Sequence, residues 1–338
     1  MVGCVLIAGA AGWWVVHALA SRGFDWRVAA DSISRLRWSW LLLSAIPIFG
    51  TYYGRALRWA VLLKPLKSHP SLSGLLSATI VGFTAITLFG RPGELVRPYL
   101  IARKERVPMS SQLAILLLER LFDLLMALLL FGFALARVNA SGMAVGPRLS
   151  AIMAVGGKLL GLVGLILLIV LLSFRHFAEP ARRRVTDALR FLPEPQFLRM
   201  EKLVGAFVQG VESTKSDAAL LLVFVYSIGE WVLIVACYWC IMQSFAELNL
   251  TLVDILIFLG FVSFGAVIQL PGIGGGIQVA SVLVLTELFG TRLEVATFVA
   301  FFIWILTFVA IVPLGLLLAL KEGLQWRSLR EIGREASM

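Results

Sequence analysis

Arg55 with Arg58, Glu119 with Asp123, and the run Pro271-Gly-Ile-Gly-Gly-Gly276 are the parts of this chain whose residue types and spacing could carry chemistry. Arg55 and Arg58 stand three apart, on one face of a helix, inside a long apolar stretch. Glu119 and Asp123 stand four apart, so both carboxylates project from one face, where like charges repel. Buried together, they need cations beside them or must hold a proton. Arg120 neighbours them, Arg91, Glu94 and Arg97 surround the break Gly90-Arg-Pro-Gly93, and Glu230 and Glu287 lie in further apolar stretches. A charged side chain at the centre of a bilayer costs about 2.5–3.5 kcal/mol, so each is expected to face a bundle interior or a wet cavity. Arg91 or Arg97 is a natural partner for the paired carboxylates and would knit the first break to the stretch 109–136. A purely structural network at Glu119, Arg120 and Asp123, or snorkelling of Arg55 and Arg58 to an interface, is the plainer alternative.

The glycine run invites a different chemistry. A dinucleotide site needs such a run between a strand and a helix of a soluble βαβ unit, and that context is missing. Inside a membrane, Gly272, Gly274, Gly275 and Gly276 permit φ > 0 and let successive backbone N–H groups point into one cavity. A short helix starting near residue 277 adds its positive dipole end, which makes an anion site suited to a phosphate or a carboxylate. A tight turn that merely lets helices pack closely is the competing reading. Cys237-Tyr-Trp-Cys240 matches C-x-x-C, but it lies in an apolar helix and reads as buried thiols rather than a redox or metal site. His17, His69 and His176 are scattered, so neither a metal cluster nor a cofactor is expected.

The elements that must position these residues are membrane helices. Of 338 residues 59% are hydrophobic and only 15% charged, against about 25% charged in a soluble domain. One soluble core could not hide that much apolar surface, whereas lipid can face it. Stretches long enough to span, about 20 residues, are 2–20, 38–63, 109–136, 149–173, 218–243 and 294–320. The first carries no basic n-region and is read as a retained span rather than a signal peptide. Two further apolar regions are interrupted. One runs 71–90, breaks at Gly90–Gly93 and resumes to about 103; the other runs 252–269, breaks at Leu270–Gly276 and resumes to about 289. The resumed arms are too short to cross a bilayer comfortably.

The fold class is therefore all-α and polytopic, one transmembrane domain over 1–338. Half 1 (1–136) and half 2 (149–320) share the order span, span, broken pair, span. If each broken pair is a re-entrant hairpin, each half crosses three times and the second is inverted relative to the first, the recurring plan of secondary transporters. Gly/Pro kinks in ordinary spans would also account for the interruptions. Loop 174–217 holds eight Lys and Arg and is expected to be cytoplasmic, as is the basic tail 321–338, which puts the C-terminus inside. The hairpin topology places 21–37, with four arginines, outside; a full span over 71–90 places it inside. Val185, Leu189 and Leu192 share a helical face, as do Leu203, Phe207 and Val211, so the loop reads as amphipathic helices lying on the membrane surface. The net charge of +10 fits anionic lipid headgroups, and the apolar background makes lipid rather than nucleic acid the expected partner.

In Arg55-x-x-Arg58-Trp59, Gly90-Arg-Pro-Gly-Glu-Leu-x-Arg97, Glu119-Arg-Leu-x-Asp123 and Pro271-Gly-Ile-Gly-Gly-Gly276, in that order, the chain resembles the lysylphosphatidylglycerol synthase transmembrane-region family of flippase-like proteins, over about 38–320. The resemblance implies a lipid translocase of the plasma (inner) membrane, not an enzyme, that moves an anionic or polyprenyl-linked lipid headgroup between leaflets. Arg55, Arg58, Arg91, Glu94, Arg97, the glycines and Gln278 would bind the headgroup, while Glu119, Arg120, Asp123 and Glu230 form a buried charge network. Gln278 stands where the family commonly has a glutamate, which bears on any proton-coupled role there. The soluble aminoacyl-transferase domain of bifunctional synthases is not seen, so lysine transfer is not expected. A membrane-embedded polyprenyl-phosphate transferase is an alternative, though no Walker-type or Asp-rich motif supports it. So is a non-catalytic scaffold for an envelope synthase or glycosyltransferase.

Overall fold

The computed structural model describes residues 24–142, 145–188, 217–265, 269–270 and 274–322, with isolated positions between 194 and 205. The helices are α1 (Trp26–Ser34), α2 (Trp38–Leu43), α3 (Ala45–Leu63), α4 (Leu72–Phe89), α5 (Val96–Glu105), α6 (Met109–Ser141) and α7 (Pro147–Ala188), followed by α8 (Asp217–Ser244), α9 (Leu252–Gly265), α10 (Gly276–Glu287), α11 (Leu293–Trp304) and α12 (Val312–Lys321). The only strands among the described residues are two-residue pieces, Gln269–Leu270 paired antiparallel with Gly274–Gly275. The expected first span, 2–20, lies outside the described residues, as do 271–273, the tail after 322 and, of the loop residues singled out above, Leu189, Leu192, Leu203, Phe207 and Val211.

Among the described residues, four helical stretches are long and apolar enough to cross a membrane: Leu72–Phe89, Pro147–Ile166, Asp217–Ser244 and Leu293–Lys321. The stretch 38–63 is not one straight helix. The helical ladder is interrupted at Ser44, between α2 and α3, while the Ser44 backbone itself stays helical (φ −62°, ψ −20°). Its hydroxyl donates to the Leu41 carbonyl at 2.5 Å, and Pro47 offers no N–H to the carbonyl four residues earlier. Nor does the helix after 147 end at 173: its backbone continues unbroken to Ala188, into the segment expected to lie separately on the surface.

Both interrupted regions fold back on themselves. After α4, Gly90 takes φ +71°, a 3-10 turn covers Arg91–Leu95, and α5 returns along α4. A methyl group on Gly82 would lie 2.5 Å from the Arg97 Cβ, so only glycine lets the two legs come this close. The legs are tied at their open end, where Glu105 accepts the Ser71 N–H at 3.2 Å and pairs with Lys67 at 2.6 Å. At the second hairpin, α9 and α10, the tie runs to a neighbouring helix instead. Glu287, the last residue of α10, accepts the Leu149 N–H at 2.8 Å and so caps the start of α7.

These ties put the two hairpins at opposite ends of the bundle. The legs of the first gather with Lys67 and with Glu322, which pairs with Lys104. Those of the second gather with residues 146–149 and with the segment before α2, where Arg37 N–H donates to Ser244 O at 2.8 Å and Ser32 to Glu247 at 3.0 Å. Helix α6, 33 residues and about 50 Å at 1.5 Å per residue, joins one end to the other. Packing between the halves is reciprocal: α3 lies along α8, α4 along α12, and α9 along α6.

The apolar interior is divided accordingly. One cluster joins the C-terminal part of α3 to α4, α5 and the first turns of α6, through Trp59, Leu62, Leu75, Leu100, Ile115 and Leu118. A second joins the later turns of α6 and α8 to α9, α10 and α11, through Phe131, Tyr238, Phe258, Leu285 and Val299. On α6, α3 and α8 alike, charged residues occupy the level where one cluster gives way to the other.

Candidate functional site

Helices α3, α5, α6 and α8 each place charge at that level. Arg55 and Arg58 come from α3, Arg97 from the first turn of α5, Glu119 and Asp123 from α6, and Glu230 from the middle of α8. Periodicity explains the convergence: residues three or four apart share a helical face, so α3 and α6 each turn two charges the same way. Arg58, fully buried, is the hub. It donates to Glu119 at 2.7 Å, to Asp123 at 2.9 Å and to the Ser227 hydroxyl at 3.0 Å, and lies 3.4 Å from Glu230.

Arg97 grips Glu119 from the other side, its Nη1 reaching the two carboxylate oxygens at 3.0 and 2.8 Å. Its Nη2 donates to the Arg55 carbonyl at 3.2 Å, and its guanidinium lies over the Trp59 ring, 4.2 Å from the centroid. The Trp59 indole N–H donates in turn to Gln112 at 2.9 Å. Arg55 pairs closely with Glu230, stands 3.6 and 3.7 Å from Glu119 and Asp123, and lies over Phe83 at 4.8 Å. Three guanidinium groups thus face three carboxylates, and the formal charge of this cluster is zero. Neutral pairing is what allows ionised groups in so apolar a bundle, since an unbalanced charge there is costly.

The cluster opens toward a partly exposed rim. Arg120, on α6, approaches Glu94 of the 3-10 turn at 3.8 Å and Asp123 at 3.6 Å. Arg91, the first residue of that turn, is exposed. Of the arginines expected to meet the paired carboxylates, Arg97 does so and joins the hairpin to α6. Snorkelling of Arg55 and Arg58 does not describe their state: both point inward to carboxylates. Trp59, the last residue of the Arg55-x-x-Arg58-Trp59 motif, also belongs to the site, as do Ser227 and Gln112, which as neutral residues in apolar helices carry no charge signal that would have singled them out.

The second hairpin presents a different picture. Gly274 and Gly275 form the short β pairing, α10 starts at Gly276, and Gly275 takes φ +118°; Gly272 lies outside the described residues. The Gly275 N–H donates to the Gln278 side-chain carbonyl at 2.7 Å. One of the amides expected to meet an anion is therefore already used by the protein itself, an ordinary helix-start arrangement. Among the described residues the two hairpins do not pack on one another as elements; each lies against the last helices of the opposite half.

A family model described as "Lysylphosphatidylglycerol synthase TM region" matches residues 1–315. No curated protein and no solved structure matches the chain.

Proposed function

We propose that this chain, which belongs to the lysylphosphatidylglycerol synthase transmembrane-region family, translocates the headgroup of an anionic or polyprenyl-linked lipid between membrane leaflets. The observation that carries this reading is the neutral cluster of Arg55, Arg58, Arg97, Glu119, Asp123 and Glu230 between the two apolar cores. A bundle that needed only to be stable would do as well with apolar side chains of similar volume. Buried guanidinium groups are the residues suited to a phosphate, by bidentate geometry.

In this reading the two fold-back pairs are re-entrant hairpins of an inverted repeat, opening to opposite faces. The headgroup crosses beside the cluster, entering at the rim of Arg91, Glu94 and Arg120, while the lipid tails stay in the bilayer. Rocking of one half against the other alternates access. The lipid is moved unchanged, and the basic loop 174–217 and C-terminal tail face the cytoplasm of the plasma membrane.

Proteoliposomes with a fluorescent phosphatidylglycerol, read by chemical quenching of the outer leaflet, test this. Wild-type protein should equilibrate the probe, and R97Q and R58Q should lose that activity while eluting normally on gel filtration. A wild-type rate no faster than that of protein-free vesicles refutes translocation. Complete internal pairing of the charges favours a second reading, a membrane scaffold for a neighbouring envelope synthase. It predicts that R97Q alters stability alone.

A further inference from the structure

Within the cluster, Glu230 is held differently from its fellow carboxylates. Glu119 accepts well-formed hydrogen bonds from Arg58 and Arg97, and Asp123 accepts one from Arg58. Glu230 has only ion-pair proximity to Arg55 and Arg58; neither of its oxygens accepts a hydrogen bond of normal geometry, although the side chain is 1% exposed. Arg55 is the matching member among the cations, close to Glu230 but without a hydrogen bond to it. Its Nη1 makes no hydrogen bond, and its side chain is 13% exposed, against 1% for Arg58 and 3% for Arg97. The Arg55–Glu230 pair also joins α3 to α8, the corresponding helices of the two halves.

Charge balance gives this pairing without hydrogen bonds a consequence. A phosphodiester headgroup brings one negative charge. If it takes Arg55 in place of Glu230, the cluster passes from neutral to −1, which a dry apolar bundle disfavours strongly. Neutrality returns when the displaced carboxylate takes one proton. The other titratable groups around it are already committed. Helix α3 brings Arg55 and Arg58, and α6 brings Glu119 and Asp123. Helix α2 has none, and the single acidic residues of α9 and α11, Asp254 and Glu294, accept the N–H groups of Thr251 and Asp25 at the helix ends.

Resting on the translocase reading, we propose that a phosphate-bearing headgroup displaces Glu230 from Arg55, and that Glu230 takes up one proton from the side at which the headgroup arrives and releases it when the phosphate leaves. Transport of an anionic lipid would then be proton-coupled through Glu230. The test uses the full chain in detergent and short-chain phosphatidylglycerol as probe, with proton uptake read by a pH indicator in weak buffer. Wild type should take up one proton per lipid bound, and its apparent Kd should fall tenfold for each unit of pH lowered across the coupled range. Phosphatidylcholine, whose headgroup is neutral overall, should bind with neither effect.

E230Q should bind phosphatidylglycerol with no proton uptake and no pH dependence, while D254N, which changes a carboxylate outside the cluster, keeps both. Should E230Q fail to fold, the wild-type contrast between the two lipids decides alone. Wild-type binding of phosphatidylglycerol without proton uptake, or uptake that survives in E230Q, overturns the proposal. Translocation without proton uptake removes the coupling and leaves the translocase standing. Uptake without translocation does the reverse.

Discussion

Trp59 donates its indole N–H to Gln112 at 2.9 Å, and the face of the same ring carries the guanidinium of Arg97, 4.2 Å from its centroid. Both Trp59 and Gln112 are buried, 1% and 0% exposed. The hydrogen bond fixes the plane of the ring, and the ring is the floor on which Arg97 meets Glu119. Q112L leaves the indole N–H buried without an acceptor, which costs about 1–3 kcal/mol. It should lower the thermal midpoint in detergent and slow headgroup translocation, because Arg97 loses a fixed support. A Q112L protein as stable and as active as wild type would show that the floor is not needed.

Glu119 accepts from two arginines at once, so it should be the least replaceable carboxylate of the cluster. E119Q leaves Arg58 and Arg97 with too little negative charge, and breaking a buried pair from one side costs about 3–5 kcal/mol. Asp123 is 17% exposed and, among the described residues, accepts a hydrogen bond from Arg58 alone, so D123N should cost clearly less. Chemical unfolding of both variants in the same detergent gives the ordering. A D123N protein less stable than E119Q would contradict it.

The charged members of this cluster were legible because a membrane sequence makes them so: an arginine or carboxylate within an apolar helix must have a reason to be there. Their pairing was only half legible. Helical spacing put Glu119 with Asp123 and Arg55 with Arg58, but the meeting of Arg58 with Glu119 depends on how α3 and α6 approach, and no local pattern encodes that. Glu230 was visible as a charge and invisible as the partner of Arg55, which lies 175 residues earlier. The fold-backs followed from Gly90 and the glycine run. The Ser44 break and the unbroken extension of α7 to Ala188 depart from the expected spans, because apolarity alone marks neither a kink nor a helix end. The glycine run also suggested open amides, whereas Gln278 turns its own carbonyl onto one of them.

Close approach of the first hairpin's legs makes Gly82 a sharp test of the fold-back. Alanine there would place its methyl 2.5 Å from Arg97 Cβ, and overpacking of this kind costs about 1–3 kcal/mol. The strain falls on Arg97, so G82A should lose translocation along with stability. Gly54 is the control: it lies in α3, where a methyl group would meet nothing within 4 Å, and alanine in a helix interior is favoured over glycine by about 1 kcal/mol. G54A should therefore be neutral or stabilising. Equal effects of the two substitutions in a thermal-shift assay would argue against the close packing of α4 on α5.

The last helical stretch holds a π-type turn at Ile305–Val309, just before Pro313. Proline has no N–H to give, so a carbonyl one turn earlier loses its helical donor. Hydroxyl groups from the first half approach this stretch: Tyr52 donates to Thr307 O at 3.3 Å, and the Thr87 hydroxyl shares its proton between Phe308 O at 3.2 Å and Phe83 O of its own helix at 3.1 Å. T87V removes one donor at nearly constant shape and should cost about 1–3 kcal/mol if the Phe308 carbonyl is left unmet. In a P313A background the restored N–H can serve that turn, so the same T87V change should cost less. The difference between the two costs, a double-mutant cycle on unfolding free energy, measures how far the hydroxyl stands in for the missing amide. Equal costs in both backgrounds would mean that Thr87 and Pro313 act independently, and the hydroxyl would then be no substitute for the lost N–H.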